Sequence, residues 1–168
     1  MNRLSLLLLF LVGTAAFARI KIEKTDLKEV NDDKYKPGQV WRYKTRPGEE
    51  TSTITVLRVD EAMLRVNDDA PQSKRIVHIH VDGIQLKNCH GGNAPERVEH
   101  MPFAKESLDA SVIELVGKSR IPGYKNGYTE WRLGWEAGKA GFYTITVSQS
   151  IDVMQHTFSK GIGCPTNP

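Results

Sequence analysis

Between Gln39 and Gly83 three runs of sequence alternate apolar with polar residues, and each run is bounded by turn-forming residues. No other feature constrains the fold as tightly, because side chains on a β-strand point to opposite faces in turn. In "QVWRYKT" (39–45) Trp41 and Tyr43 share one face, while Val40, Arg42 and Lys44 share the other. "RPGEE" (46–50) is a Pro-Gly turn in which Gly48 takes the positive φ. The β-branched run "TSTITVLRVD" (51–60) then completes a hairpin, and "EAMLRV" (61–66) offers a third strand. After "NDDAPQSK", the stretch "RIVHIHVDG" (75–83) sets Val77, Ile79 and Val81 against Ile76, His78, His80 and Asp82. The first set reads as a core face and the second as a solvated one, with a turn at Asp82-Gly83. Residues 39–88 therefore predict an antiparallel meander of four or five strands. Residues 90–100, "HGGNAPERVEH", have no periodicity and read as a loop.

The second half changes period. "PFAKESLDASVIELVG" (102–117) carries Ala104, Leu108, Val112 and Leu115 at helical spacing, with Pro102 near the start and Gly117 past the end. In "YTEWRLGWEAGKAG" (128–141) Tyr128, Trp131 and Trp135 form one helical stripe, and the glycines end the helix by Gly138. "FYTITV" (142–147) reads as a strand. A last helix has Ser148 as N-cap and Ile151, Met154 and Phe158 on one face. The fold class is α+β: an antiparallel sheet from the N-terminal meander plus one late strand, with two or three helices packed on one face.

The chain opens with "MNRLSLLLLFLVGTAAFA". A basic start at Arg3, an apolar stretch from Leu4 to Val12 and a small-x-small site at Ala16-Phe17-Ala18 make the pattern of a secretory signal peptide over residues 1–18. The apolar stretch is short of the roughly 20 residues a membrane span needs, so no transmembrane anchor is expected after cleavage. A charged N-terminal segment, 19–36, reads as a linker or frayed edge, and 37–168 as a single domain. Taking Arg3 from the 23 basic residues leaves 22 against 20 acidic ones, a formal net charge of +2. That balance gives no bulk attraction to nucleic acid. In an oxidising compartment the two cysteines, Cys89 and Cys164, predict one disulfide. It would close a loop of about 75 residues, worth ~4–5 kcal/mol in chain entropy.

Candidate chemistry centres on five histidines: His78, His80, His90, His100 and His156. His78 and His80 share a strand face, and with His90 or His100 they would make a three-ligand zinc set. The plainer expectation is a solvated face and no metal, since no H-E-x-x-H element is present. The two "VNDD" copies do not continue as a calcium loop. "GKS" (117–119) lacks the earlier glycine of a phosphate-binding loop, having Val112 there, and no G-x-S-x-G elbow occurs. Nothing calls for a cofactor. The basic run around Arg42, Lys44 and Arg46 could hold an anion, but Glu49 and Glu50 offset it. "RIPGYKNGYTEWRLGW" (120–135) is the better candidate surface, because Tyr, Trp and Arg are the types enriched at interaction hot spots. Its expected binding residues are Tyr124, Tyr128 and Arg132, with Trp131 and Trp135 buried.

Taken together, "KPGQVWRYKTRPGEE", "RIVHIHVDG", "HMPFAKESL", "GYKNGYTEWR" and "GKAGFYTITV" resemble a group of small exported bacterial proteins of unassigned function. The likeness covers most of the chain after residue 18. It implies bacterial origin and one intact domain, and no activity or site residue. The sequence thus leads to an exported binding or interaction protein of the bacterial envelope, in the periplasm, of the inhibitor or immunity type, with another envelope protein as partner. The alternatives are a small envelope hydrolase or metal-dependent enzyme using His78, His80 and His100, and a structural or stress-related envelope protein with no discrete site.

Overall fold

The computed structural model describes residues 22–24, 27–66, 69–87 and 96–159. The signal-peptide pattern and both cysteines of the expected disulfide, Cys89 and Cys164, lie outside the described residues, as does His90.

The chain is α+β, as its patterning predicts. Its elements are β1 (Ile22–Lys24), β2 (Lys28–Glu29), β3 (Gln39–Tyr43), β4 (Thr53–Val66), β5 (Gln72–Asp82), β6 (Arg97–Ala104), α1 (Lys105–Ser111), β7 (Val112–Lys118), α2 (Lys125–Glu136) and α3 (Val147–Ser159). The strands form one open sheet in the order β6-β5-β4-β3-β7, with β1 and β2 pairing along β4. All these pairings are antiparallel. Gly48 and Gly83 have φ of 84° and 78°, the left-handed values that the Pro-Gly and Asp-Gly turns require.

Runs 51–60 and 61–66 are one strand, not two. A bulge at Leu57 separates the pairs Val56↔Ile79 and Arg58↔His78. The extra residue flips the alternation. Ile54, Val56 and Val59 therefore line one core, while Ala62 and Leu64 face the other.

Two layers of helix cover the sheet. α1 and α3 pack on the face made by Val77, Ile79, Val81, Met101 and Phe103, burying Leu108, Val147 and Ile151 there. α2 lies across the opposite face, where Trp135 packs with Leu27, Ala62 and Ile76, and Trp131 joins at the margin. The Tyr-Trp-Trp stripe is a helix as expected, ending before Gly138 at φ 69°.

Several expectations are corrected. The single helix over 102–117 is three elements: the end of β6, the short α1, and β7. Helical spacing is real in "LDAS", but Val112, Glu114 and Leu115 pair instead with Tyr43, Arg42 and Trp41 on the free edge of β3, with Ile113 and Val116 as the bulge residues between them. β7 is thus the late strand. "FYTITV" is not one: only Tyr143 bridges to Phe103 before α3 begins. Thr146, rather than Ser148, precedes α3, and its N–H is held by Gln149 Oε1 at 3.0 Å. Arg97–His100 belong to β6, not to a loop. From Leu27 the charged N-terminal segment is packed, with Tyr35 fully buried and Asp32 accepting from the Lys34 and Tyr35 amides at 2.9 Å.

Candidate functional site

The face of β5 expected to meet solvent is closed. His78 is 0% exposed and His80 6%. The strand pattern alone cannot show the cover, which arrives with α2 some fifty residues later. Tyr128 and Trp131 stand edge-on to the His78 ring, at centroid distances of 5.1 and 4.7 Å.

Beneath α2 three side chains from three strands meet. Across the sheet His78 lies opposite Arg58 on β4 and Pro102 on β6. Two residues apart beyond the Leu57 bulge, Arg58 and Asp60 share this face, and Asp60 is also 0% exposed. His78 Nδ1 is 2.8 Å from His100 Nε2, and the two rings stack at 13°. His78 Nε2 is 3.2 Å from Asp60 Oδ2, an electrostatic contact without hydrogen-bond alignment. Arg58 Nε donates to Asp60 Oδ1 at 2.7 Å, and the Tyr128 hydroxyl donates to Asp60 Oδ2 at 2.8 Å. Arg58 also reaches Glu29 at 2.8 Å and lies over the Tyr128 ring.

The charges follow from the geometry. Burial alone would raise the Asp60 pKa, but His78, Arg58 and Tyr128 outweigh it and hold the carboxyl well below the usual range. Burial pushes His78 down, keeping it neutral. Burial, with the neighbouring His78, lowers His100 to about 4. Tyr128 is pushed up to about 12 by burial and its bond to Asp60. With Nε2 of His78 against a carboxylate, the favoured tautomer carries its hydrogen there, so Nδ1 accepts from His100 Nε2–H. The chain runs Asp60–His78–His100, and its open basic end is His100 Nδ1.

His80 does not join this chain. It is held at the Glu99 backbone, and its Nδ1 has no hydrogen-bond partner. Among the described residues no group of three or more His, Cys, Asp or Glu is arranged to hold a metal. Directly hydrogen-bonded rings such as His78 and His100 also present their nitrogens to each other rather than to a shared ion.

The expected binding residues divide. Tyr128 is committed to Asp60. Arg132 is paired with Glu136 at 3.0 Å and helps hold Tyr128. Tyr124, half-buried at the start of α2, lines a cleft of about 630 Å³ with Glu99, Arg120, Ile121, Lys125 and Asn126. Neither Arg120 nor Lys125 has an ion-pair partner among the described residues. The start of α2 has no capping side chain and no acidic residue in its first turn. The cationic run at 42–46 is engaged within the chain instead: Arg42 pairs with Glu114 at 2.7 Å, Arg46 grips the buried Glu49, and Lys44 Nζ donates to the Ala110 carbonyl at 3.1 Å.

Two features sequence reasoning missed are Asp60 and Arg58. Arg58 and Asp60, two apart in the run "TSTITVLRVD", look in sequence like the polar face of a solvated strand, and only the cover from α2 makes them a site.

Fold and site together define an α+β domain on an open antiparallel sheet, with a buried acid–imidazole chain beneath one helix and a cleft at that helix's start. No family model matches the chain, and neither a curated protein nor a solved structure matches it. No helix among the described residues is long and apolar enough to cross a membrane.

Proposed function

We propose that the chain is a small exported binding protein of the bacterial envelope, of the inhibitor or immunity type, which takes an acidic segment of another protein into the cleft at the start of α2. One observation carries the reading: Arg120 and Lys125 line the same cleft as Tyr124 without charged partners among the described residues. Glu99, which also lines the cleft, offsets one of the two charges and leaves the cleft cationic. Tyr and Arg combine contact area with directional donors, which is why they dominate binding energy at protein surfaces. Export is supported by the sequence pattern of residues 1–18. The test is capture from envelope extract by the purified chain. A specific partner should be retained by Arg42→Glu, whose side chain lies on β3 away from the cleft, and lost on charge reversal at Arg120 and Lys125. Equal capture by both variants, or no specific partner at all, sinks the proposal.

The Asp60–His78–His100 chain favours a second reading, an envelope hydrolase with His100 as general base. It predicts turnover of a chromogenic ester or phosphoester that His100→Gln abolishes.

A further inference from the structure

The two ends of the sheet are finished differently. At β6 the edge is closed over Pro102–Ala104. Pro102 has no N–H to offer, and Tyr143 docks there, donating its N–H to the Pro102 carbonyl and accepting from the Ala104 N–H, both at 2.9 Å. β1 and β2 are blunted by length, with three and two residues. β7 has neither protection. It ends the order β6-β5-β4-β3-β7, and among the described residues no strand pairs with its outer edge. Six of its seven residues are exposed. Three of them are large and apolar: Ile113 is 55% exposed, Leu115 47% and Val116 49%. The bulges at Ile113 and Val116 bend the strand without capping it. An apolar, unpaired edge of this kind is a template for another chain.

The charges around this edge decide what kind of chain it takes. Midway along, Arg42 and Glu114 satisfy each other across the ladder at 2.7 Å. Lys118 and Arg120 stand at the C-terminal end of β7, and Lys44 stands at the other, one residue beyond the Tyr43↔Val112 pair. None of these three cations has a carboxylate partner among the described residues. A second copy of β7, laid in either direction, would set basic end against basic end, which is destabilising. A segment with carboxylates at its ends and β-branched residues between them meets both the cations and the exposed apolar side chains. We propose that β7 is a docking edge, along which such an extended segment of another protein adds to the sheet as a further strand. The cleft at the start of α2 opens at Arg120, two residues past β7, so one acidic segment can occupy both. The identity of the partner rests on the binding reading above, whereas the pairing at β7 is tested apart from it.

The probe is a soluble peptide that alternates valine with threonine and carries glutamates at both ends, titrated into the isotope-labelled chain. Amide signals from Ile113 to Lys118 should shift and exchange more slowly with solvent, while those of Phe103 and Ala104 on the closed edge stay in place. The same peptide N-methylated at every residue keeps its side chains but cannot donate to a strand. It should bind about tenfold more weakly, as expected for the net loss of one or two hydrogen bonds. Lysines in place of the glutamates should weaken binding roughly tenfold. Val116→Pro, which removes an N–H at a bulge residue that has no partner on β3, should abolish the β7 shifts. Should that variant not fold, the methylated peptide decides. The proposal is overturned if the methylated or the lysine peptide binds as the parent peptide does, or if no β7 signal moves at millimolar peptide. Slowed exchange in β7 that grows with protein concentration, without peptide, makes a second copy the occupant and also overturns it. Shifts confined to Tyr124 and Lys125 leave the cleft standing without the edge. β7 shifts that persist in Lys125→Glu, with none at Tyr124, leave the edge standing without the cleft.

Discussion

The two faces of β5 carry the same alternating pattern and are held by opposite means. On one face Val77, Ile79 and Val81, all fully buried, meet aliphatic residues of α1 and α3. On the other, Ile76 and His78, equally buried, meet the rings of α2 and the charges of Arg58 and Asp60. Aliphatic burial is non-directional and depends on filling volume. A buried polar set depends on every member keeping its partner, because an unpaired buried charge costs more than the pair contributes. The first face should therefore respond to lost volume and ignore pH, and the second should do the reverse.

The largest effect expected is on the dry face. Phe103 is fully buried, pairs across from Val77 and stacks on Tyr143 at 5.1 Å. Phe103→Ala should cost about 4 kcal/mol, with a pH dependence of unfolding unchanged from the parent in denaturant titrations. Next comes Asp60→Asn, which keeps the shape and removes the charge. Arg58 would then be left with Glu29 alone, and the loss should be about 3 kcal/mol. If the asparagine variant proves as stable as the parent, the second face is held by its rings and not by its charges.

Acid sharpens the contrast. His100 is depressed to about 4 from 6.5, so the unfolded chain binds a proton there more readily than the folded one. Stability is then fully present above 6.5 and falls as pH drops toward 4. After allowance for solvent screening of a partly exposed ring, the loss should be about 2 kcal/mol. Urea midpoints measured across that interval should show the decline in the parent and a flattened profile in His100→Gln. A decline of equal size in both would assign it to His78 or His80, whose pKa values burial also lowers.

What was legible in the sequence was whatever local pattern decides. The Pro-Gly hairpin, the core face of β5 and the tryptophan stripe all follow from alternation or helical spacing read over ten residues. β7 was not legible, because "SLDASVIEL" satisfies a helical spacing and only the open edge of β3 makes it a strand. The same holds for "FYTITV", whose alternation finds no neighbour beyond a single bridge at Tyr143. The histidine face failed for a related reason: a strand reports which residues share a face, and not what later folds over it. The tryptophan stripe needed a surface to cover, and the Arg58–Asp60 and His78–His80 pairs marked a sheet face still without a cover. Joining those two demands would have pointed to a closed polar site.

The smallest effect tests how rigidly the two faces differ. Gly127→Ala gains helix propensity, worth up to about 1 kcal/mol in a helix interior and less in the first turn. Against that, the new methyl group would sit 3.1 Å from the His100 Cβ, so the helix or β6 must yield by a few tenths of an ångström. Whether it can yield depends on the Tyr128–Asp60 tether, one residue along. With the tether intact, Gly127→Ala should destabilise by about 0.5 kcal/mol, the clash outweighing a reduced propensity gain. In a Tyr128→Phe background the helix is free to shift, and the same substitution should become neutral or stabilising. The sign change makes the pair non-additive by about 0.5 kcal/mol or more, as expected of residues sharing one contact. Simple additivity in the double-mutant cycle would mean that α2 already sits loosely, held by Trp135 and its apolar neighbours rather than by the buried carboxylate.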